Sequence, residues 1–301
     1  MNLNNLRAPI IVYWDLNPVS NVGQNVINRI CDDLLFNKIF FLNIWDPSPS
    51  IGTDCSIILK NLKDENINVT LTASYPALEI SDLENFMPAL KKILISIDSS
   101  DQIASIAEKI QSKKPGIPSI GISYSITENT FKNVPDILRS CSEAGINNVH
   151  FPIQRVSADE KIFWLDSEKN QWLSEKIKHI KTNGLNIVIH DPFLWKTFNR
   201  GLNQNEKGCQ GGNTMIYISG SLDVTPCPLL PVVLGNLLSE SLTEIFSSNI
   251  RQEIRKFISM PPRECGDCEK VIECRGGCRG RTYVSHKTFD KRDPACLQPW
   301  N

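Results

Sequence analysis

Short apolar runs alternate with helix-like stretches over the first two thirds of this 301-residue chain. The runs are rich in Ile, Val and Phe, which predicts strands that are buried on both faces of a sheet. Strand, helix and strand at this spacing predict a parallel sheet with helices outside it. Six or seven such repeats fit an open barrel better than a closed eight-fold one. The predicted strands cover residues 10–14, 39–44, 67–72, 93–98, 117–125, 147–153 and 186–190.

The predicted helices lie between these strands and in the last third of the chain. Ser239 or Ser241 is expected to cap the last of them, because serine accepts a hydrogen bond from a free backbone N–H at a helix start. The predicted helices cover residues 20–37, 53–65, 81–90, 101–113, 131–144, 168–183 and 239–258.

The character of the chain changes near residue 200. Residues 199–213 are polar and glycine-rich, which indicates a linker or loop. Residues 214–226 then predict a small hairpin, and the segment beyond residue 258 has little periodicity. A segment so poor in core-forming residues needs another source of stability, and we expect a bound metal to supply it. We therefore predict two domains, a barrel over residues 1–200 and a smaller cysteine-rich domain over residues 201–301.

Charge and hydropathy exclude two classes of partner. The chain has 32 Lys and Arg residues against 33 Asp and Glu residues. Nucleic-acid binders usually carry a basic excess, so no nucleic-acid partner is expected. No run of roughly 18 apolar residues occurs, which predicts no membrane span. The N-terminus does not resemble a signal peptide, so we expect a cytoplasmic protein whose thiols are reduced.

Cysteine is distributed unevenly. Of the ten cysteines, Cys31, Cys55 and Cys141 are scattered in apolar, periodic contexts, and we interpret them as small buried hydrophobic residues. The other seven follow residue 208, and four of them form a C-x2-C-x5-C-x3-C pattern. These seven are Cys209, Cys227, Cys265, Cys268, Cys274, Cys278 and Cys296.

Three kinds of chemistry compete for these seven thiols. Disulfides are disfavoured in a chain without an export signal. Structural zinc explains a C-x2-C pair, because two thiolates at that spacing can share one tetrahedral ion. Iron–sulfur clusters usually use four thiolates each and tolerate wider spacing. Seven thiols fit two clusters, one of them incompletely ligated, better than they fit zinc, although zinc stays open.

The cysteine pattern resembles the SPASM domain, the auxiliary-cluster extension of radical S-adenosylmethionine (radical SAM) peptide-maturing enzymes. The resemblance covers about residues 207–299 and includes the P-C-P turn at 226–228 and the L-G-N at 234–236, which precede a helix. One departure is Leu222, which aligns with a turn glycine of the family.

The resemblance implies two iron–sulfur clusters, with 4Fe–4S the expected type. The inner cluster would have no fourth cysteine, so one iron would be open, bound by a small molecule or ligated by a partner. By analogy with the family, the outer cluster would be held by Cys265, Cys268, Cys274 and Cys296, and the inner cluster by Cys209, Cys227 and Cys278.

The same family has an N-terminal partial (β/α)6 barrel, which is similar to the strand pattern above. Its radical chemistry needs a C-x3-C-x2-C loop after the first strand, and this chain aligns Ser20, Gln24 and Ile27 with those cysteines. A glycine pair that lies close to the cofactor in the family aligns with Ile44 and Trp45. We therefore expect a degenerate barrel that binds no S-adenosylmethionine and has no catalytic residues of its own.

Two histidines end predicted strands. His150 and His190 are expected to face the mouth of the barrel, where parallel barrels bind ligands. They would contact a substrate or a metal there, or serve only as hydrogen-bonded residues of the wall.

Three hypotheses for the function follow. The first is a non-catalytic partner of an active radical SAM enzyme in peptide or natural-product modification, which docks a precursor peptide or relays electrons. The second is a stand-alone enzyme that uses the open inner iron for redox or Lewis-acid chemistry. The third is a structural interaction module in which the metal only stabilises the fold of the C-terminal segment.

Overall fold

The computed structural model describes residues 6–19, 21–79, 86–111, 118–156, 161–182, 184–199 and 208–298. Within these residues, ten strands form one sheet at the centre of the molecule. The strands are β1 (Ile11–Asp15), β2 (Phe41–Asp46), β3 (Asn68–Ser74), β4 (Lys92–Ser96), β5 (Ser119–Ser123), β6 (Asn148–Phe151), β7 (Asn186–Ile189), β8 (Met215–Ile218), β9 (Asp223–Thr225) and β10 (Gly235–Asn236).

The sheet confirms the predicted parallel architecture. Strands β1 to β7 lie side by side in chain order, and every neighbouring pair among them is parallel. Strand β8 pairs in parallel with the other edge of β1, with Ile11 opposite Met215. Strands β9 and β10 continue the sheet in antiparallel fashion. The predicted hairpin at 214–226 therefore exists, and it extends the barrel sheet.

Helices connect most of the parallel strands, as predicted. The predicted helix at 81–90 lies partly outside the described residues, where only a 3-10 turn at Met87–Ala89 is seen. A helix at 192–198 was not predicted. The helices are α1 (Gln24–Phe36), α2 (Thr53–Asn61), α3 (Asp101–Gln111), α4 (Val134–Ala144), α5 (Ser167–Ile177), α6 (Pro192–Phe198), α7 (Leu242–Ser247), α8 (Asn249–Ser259), α9 (Val271–Cys274) and α10 (Arg279–His286).

The helix predicted at 239–258 is in fact two helices. Ser241 caps α7 in a reciprocal arrangement with Glu244, in which each side chain bonds the other residue's backbone N–H. Ser248 ends α7 in an extended conformation, and its hydroxyl accepts a hydrogen bond from the backbone N–H of Arg251 to begin α8. The cap at Ser248 therefore divides the predicted helix into two.

Alternate residues of the strands face opposite sides of the sheet. In β3, Val69, Leu71 and Ala73 are buried against the helices, whereas Thr70 and Thr72 are only half-buried and point into the barrel. The expectation that the strands are buried on both faces is therefore wrong for this strand. The barrel interior carries polar side chains because it has to accommodate a cavity rather than a packed core.

The cysteine-rich segment has a small core of its own. The buried residues of this second cluster are Cys227, Leu229, Leu230 and Ile258, which is far fewer than the barrel core contains. So few apolar residues contribute little to the free energy of folding. The small size of this core agrees with the expectation that the segment needs a bound metal for stability. None of the helices in the described ranges is both long enough and apolar enough to cross a membrane.

Candidate functional site

Three of the seven cysteines meet beside the barrel. Cys209 precedes β8, Cys227 follows β9, and Cys278 precedes α10; we call these three the inner thiols. Burial raises the pKa of the Cys227 thiol well above its ordinary value, and the neighbouring thiols of Cys209 and Cys278 raise it further. The structure thus brings together the three residues that were assigned to one cluster by resemblance, and their role as ligands stays a prediction.

The other four cysteines form a second group, in which Cys265 has the other three as electrostatic neighbours. Burial raises the pKa of the Cys265 thiol to about 11, the Cys274 thiol raises it further, and Arg292 opposes this. Burial also raises the pKa of Cys296, which has Cys274 as a neighbour. The members of this group, which we call the outer thiols, are Cys265, Cys268, Cys274 and Cys296.

A zinc site and an iron–sulfur cluster require different spacings of their sulfur ligands. Four sulfurs that share one zinc ion at about 2.3 Å lie only about 3.8 Å apart. Among the described residues, no set of three or more His, Cys, Asp or Glu side chains is arranged around such a point. In an iron–sulfur cluster the thiolates bind different irons, so their sulfurs lie farther apart. The grouping of the thiols favours a shared metal group, and the choice of clusters over zinc stays a prediction.

A buried arginine gives a second, independent sign of an anionic group. Arg279 is 1% exposed, and its Nη2 atom donates to the carbonyl of Phe289. Its Nε and Nη1 atoms have no hydrogen-bond partner in the described part of the chain. Burying a cation in this way costs several kcal/mol unless a negative group compensates it. A thiolate-ligated cluster is negative, so the residues present fit such a group.

Two glycines allow the chain to turn between the two thiol groups. Gly276 and Gly277 have φ values of 84° and 74°, in the left-handed region that favours glycine. A Cβ atom on Gly277 would lie 2.5 Å from Oδ2 of Asp293. The close approach of Gly277 to Asp293 places Cys278, whose backbone N–H donates to the same Oδ2 atom at 2.6 Å.

A buried ion-pair network joins the cysteine-rich segment to the barrel. Arg281 is fully buried and donates to Oδ1 and Oδ2 of Asp293 at 2.7 and 2.9 Å, and also to Asp191. Asp191 caps α6 at the carboxyl end of β7. Although burial alone would raise the pKa of Asp191, the Arg281 guanidinium and the N–H groups of α6 lower it. Helix α10 is thereby held against the barrel end.

The inner thiols border a cavity with a volume of about 610 Å³. Its other wall comes from the carboxyl ends of β6 and β7 and from the loops that follow them. That wall is mostly apolar and includes Phe151, Phe163, Trp164 and Leu194. An apolar cavity with a few polar groups on one side is the usual form of a small-molecule site.

The residues that replace the expected catalytic loop are dispersed. Gln24 is exposed at the start of α1, whereas Ile27 of the same helix is fully buried in the core. Ser20 lies outside the described residues. Ile44 is 1% exposed and Trp45 is half-buried, and both line the cavity at the barrel mouth. None of the described four has a thiol, and Gln24 and Ile27 do not face a common point.

An ion pair that sequence reasoning missed occupies the barrel mouth. Arg155 donates to both oxygens of Asp15, from Nη2 at 2.7 Å and from Nε. Tyr217 also donates to Asp15, at 2.9 Å. The Arg155 guanidinium lies 4.5 Å from the centre of the Trp45 ring, a cation–π contact. The available signal was the charged residue directly after an apolar strand, Asp15 after β1, and the arginine shortly after β6.

Both predicted histidines face the interior of the barrel. Tyr13 and His190 form a hydrogen bond between the phenol oxygen and Nε2 at 3.2 Å, and the rings of His150 and His190 lie 5.7 Å apart. Burial, together with His190, Lys92 and Arg155, lowers the pKa of His150 to about 3. His150 lines the mouth cavity, and His190 lines the larger cavity beside the inner thiols.

The cysteine-rich segment is similar in sequence to known proteins. Residues 209–269 match the SPASM family, described as an iron–sulfur cluster-binding domain. A segment of 94 residues is 32% identical to the AdoMet-dependent heme synthase of Methanosarcina barkeri, and covers 30% of this chain and 26% of that protein. The heme synthase of Nitratidesulfovibrio vulgaris is 31% identical over 100 residues, which is 33% of this chain and 26% of that protein. The match thus spans about a quarter of these relatives.

Solved structures match almost the whole chain at low identity. Streptococcus suis SuiB bound to its precursor peptide SuiA has a TM-score of 0.70 at 16% identity, over 98% of this chain and 77% of that chain. The protein anSMEcpe with bound AdoMet and the Cp18Cys peptide has a TM-score of 0.66 at 15% identity, over 96% and 94% of the two chains. These matches establish the fold. The chain therefore shares its fold with SuiB and anSMEcpe, and its residues 209–269 match the SPASM iron–sulfur cluster-binding domain.

Proposed function

We propose that this chain is an iron–sulfur accessory protein without radical SAM activity of its own. It would hold two clusters, on the inner and on the outer thiols, and work beside an active radical SAM enzyme in peptide or natural-product modification. The chemistry that the clusters supply is one-electron transfer. The proposal keeps the division into a barrel at 1–200 and a cluster domain at 201–301, and it places the protein in the cytoplasm, where thiols stay reduced.

The observation that carries this proposal is the Asp15–Arg155–Trp45 contact at the barrel mouth. A catalytic cluster would need three thiolates near the carboxyl end of β1, and Asp15 is the last residue of that strand. The Arg155 guanidinium, which is held by Asp15 and stacked on Trp45, takes up space at that end of the strand. The three remaining described cysteines, Cys31, Cys55 and Cys141, are buried in helices of the core and none lines either cavity.

The large cavity supports a role in peptide docking. It lies between the barrel end and the inner thiols and is wide enough for a side chain or a short segment of peptide. The solved structure of SuiB with SuiA is of a protein of the same fold bound to its precursor peptide. We propose that this chain receives an extended peptide in the cavity between its barrel end and the inner thiols.

The test is the behaviour of the isolated, anaerobically purified protein toward S-adenosylmethionine. We expect no binding in isothermal titration at millimolar cofactor and no 5′-deoxyadenosine after reduction with dithionite, with or without peptide. Tight binding, or 5′-deoxyadenosine formed above the level of a heat-treated sample, would contradict the proposal. A positive control is any intact radical SAM enzyme assayed in the same buffer.

A second candidate is a stand-alone enzyme that acts at the inner cluster. The observation that favours it is the same cavity, which is bordered by three thiols and so would meet an iron without a fourth cysteine. The curated relatives are heme synthases, which act on a substrate themselves. Turnover of a substrate by the isolated, cluster-loaded chain would favour this candidate, whereas activity that appears only with a partner enzyme favours the accessory role.

The third candidate, a structural module, makes a different prediction about metal content. It requires zinc, or clusters whose redox state never changes. Metal analysis and reductive titration of the same sample separate it from both of the others.

A further inference from the structure

Arg279 is a buried cation that interacts electrostatically with cysteines of both thiol groups. It is the first residue of α10, directly after the inner thiol Cys278. Its guanidinium interacts electrostatically with Cys209 and Cys278 of the inner group and with Cys265 of the outer group. The side chain is 1% exposed and lies against the Phe289 ring, 5.8 Å from its centre. One cation is therefore enclosed between the two sites.

Within the described ranges, no carboxylate forms an ion pair with Arg279. Asp293 is the nearest acidic partner, but its two oxygens bind Arg281, Cys278 N–H and Ala295 N–H. Arg281, which lies two residues along the same helix, is equally buried and is paired with two carboxylates. The two arginines thus differ in what compensates them, because Nε and Nη1 of Arg279 find no partner among the described residues.

Given the proposed cluster binding, on which this inference rests, we infer that Arg279 is a shared electrostatic positioning residue that donates hydrogen bonds to the sulfur of both clusters and raises both reduction potentials. Reduction adds one electron, and hence one negative charge, to a cluster. A buried cation stabilises the reduced form more than the oxidised form, since screening by water is weak there. Because the same cation lies near both sites, it acts on both potentials in the same direction.

The experiment is a reductive titration of the anaerobic protein with dithionite, followed by electron paramagnetic resonance. Three variants are compared with the unsubstituted chain. Arg279→Gln removes the charge but keeps a donor, and Arg279→Lys keeps the charge. Arg251→Gln is the matched control, since Arg251 is also a buried arginine, but it donates to the carbonyls of Gly212 and Leu6 and is stacked on Phe246.

We expect Arg279→Gln to lower the equilibrium constant for reduction of both clusters at least tenfold, which is about 59 mV for a one-electron couple. Arg279→Lys should stay within about threefold of the unsubstituted chain, since it restores the charge. Arg251→Gln should leave both potentials unchanged. Iron and sulfide are measured on each sample, so a change in potential is distinguished from a loss of clusters.

An Arg279→Gln protein with full iron content and unchanged potentials would overturn the inference, as would a change in only one cluster. If Arg279→Gln loses its clusters, Arg279→Lys decides: retained clusters at near-native potentials support the role of the charge, and an equal loss contradicts it. The titration needs no partner enzyme, so it can fail while the accessory role stands. A zinc protein without iron would instead overturn the proposed function itself.

Discussion

Cysteine side chains in this protein have two kinds of surroundings. Cys141 is enclosed by the barrel core, and burial alone raises the pKa of its thiol to about 12. Cys265 has burial and other thiols as causes of its raised pKa. Only the second environment concentrates several potential thiolates, which a metal cluster would stabilise and deprotonate. The chemistry of a cysteine here follows from its neighbours rather than from its burial.

Replacing an outer thiol should therefore remove one cluster. We expect Cys268→Ala to lose roughly half of the iron and to lower the midpoint of thermal unfolding, because a cluster with three remaining ligands is held weakly. The matched control is Cys141→Ala, which removes a buried thiol from the core and should keep all of the iron. Iron and sulfide analysis of both proteins checks this. Equal iron in the two variants would contradict the assignment of Cys268.

His150 makes the stability of the barrel depend on pH. Its pKa falls from about 6.5 in an unfolded chain to about 3 in the folded protein, where burial disfavours the charged ring. As the pH falls through the unfolded pKa, the unfolded chain binds a proton on this histidine and the folded protein does not. The free energy of unfolding is therefore highest above that pKa and decreases below it. Between about pH 8 and about pH 6 the loss amounts to about 0.8 kcal/mol.

The measurement is urea unfolding of the native chain, of His150→Gln and of His179→Gln at the two pH values. His179 is exposed, so its replacement should leave the pH dependence unchanged. His150→Gln should be less sensitive to acid by about 0.8 kcal/mol. A pH dependence that is identical in all three proteins would show that His150 is not held neutral.

At the scale of elements, the turn between α9 and α10 sets the relation of the two thiol groups. Gly277 has a left-handed backbone, and any Cβ there collides with Oδ2 of Asp293 at 2.5 Å. Gly145, at the end of α4, has nearly the same φ of 73°, but a Cβ there meets no atom within 4 Å. A side chain at Gly145 would therefore cause backbone strain alone, whereas one at Gly277 would cause both strain and a steric clash.

We expect Gly145→Ala to cost about 1 kcal/mol of unfolding free energy through left-handed strain alone, and to keep its iron. Gly277→Ala should cost more and should also reduce the iron content, because the clash displaces Asp293 and with it Cys278. Chemical unfolding and iron analysis of both variants test this. A Gly277→Ala protein that matches Gly145→Ala in both quantities would contradict the proposed role of the turn.

At the scale of the whole molecule, the two thiol groups predict the metal content. Anaerobically purified protein should be brown and contain about eight irons and about eight sulfides per chain, if each group holds a 4Fe–4S cluster. Metal analysis and the visible absorption spectrum are the measurements. A colourless protein with one or two zinc ions would contradict cluster binding, and about four irons would indicate that only one group is loaded.

Sequence reasoning was most successful where local pattern decides structure. The strand–helix alternation predicted β1 to β7 and most of the helices between them, since period and composition act within a few residues. The spacing of the cysteines indicated a SPASM-type segment, because a C-x2-C-x5-C-x3-C pattern is rare by chance. Less expected is Leu222, which replaces a turn glycine yet has a left-handed φ of 66°. Buried packing around Leu222, which is 2% exposed, holds that conformation.

Tertiary structure alone decided what fills the barrel mouth and what surrounds the thiols. Asp15 and Arg155 are 140 residues apart, and only the closing of the sheet brings them together on Trp45. That Nε and Nη1 of Arg279 find no partner in the described part of the chain likewise becomes visible only in the folded structure. By itself, the sequence determined the fold class and the number of thiols, because these depend on local period and spacing. Long-range contacts depend on the folded path of the chain, and they decided which charges meet.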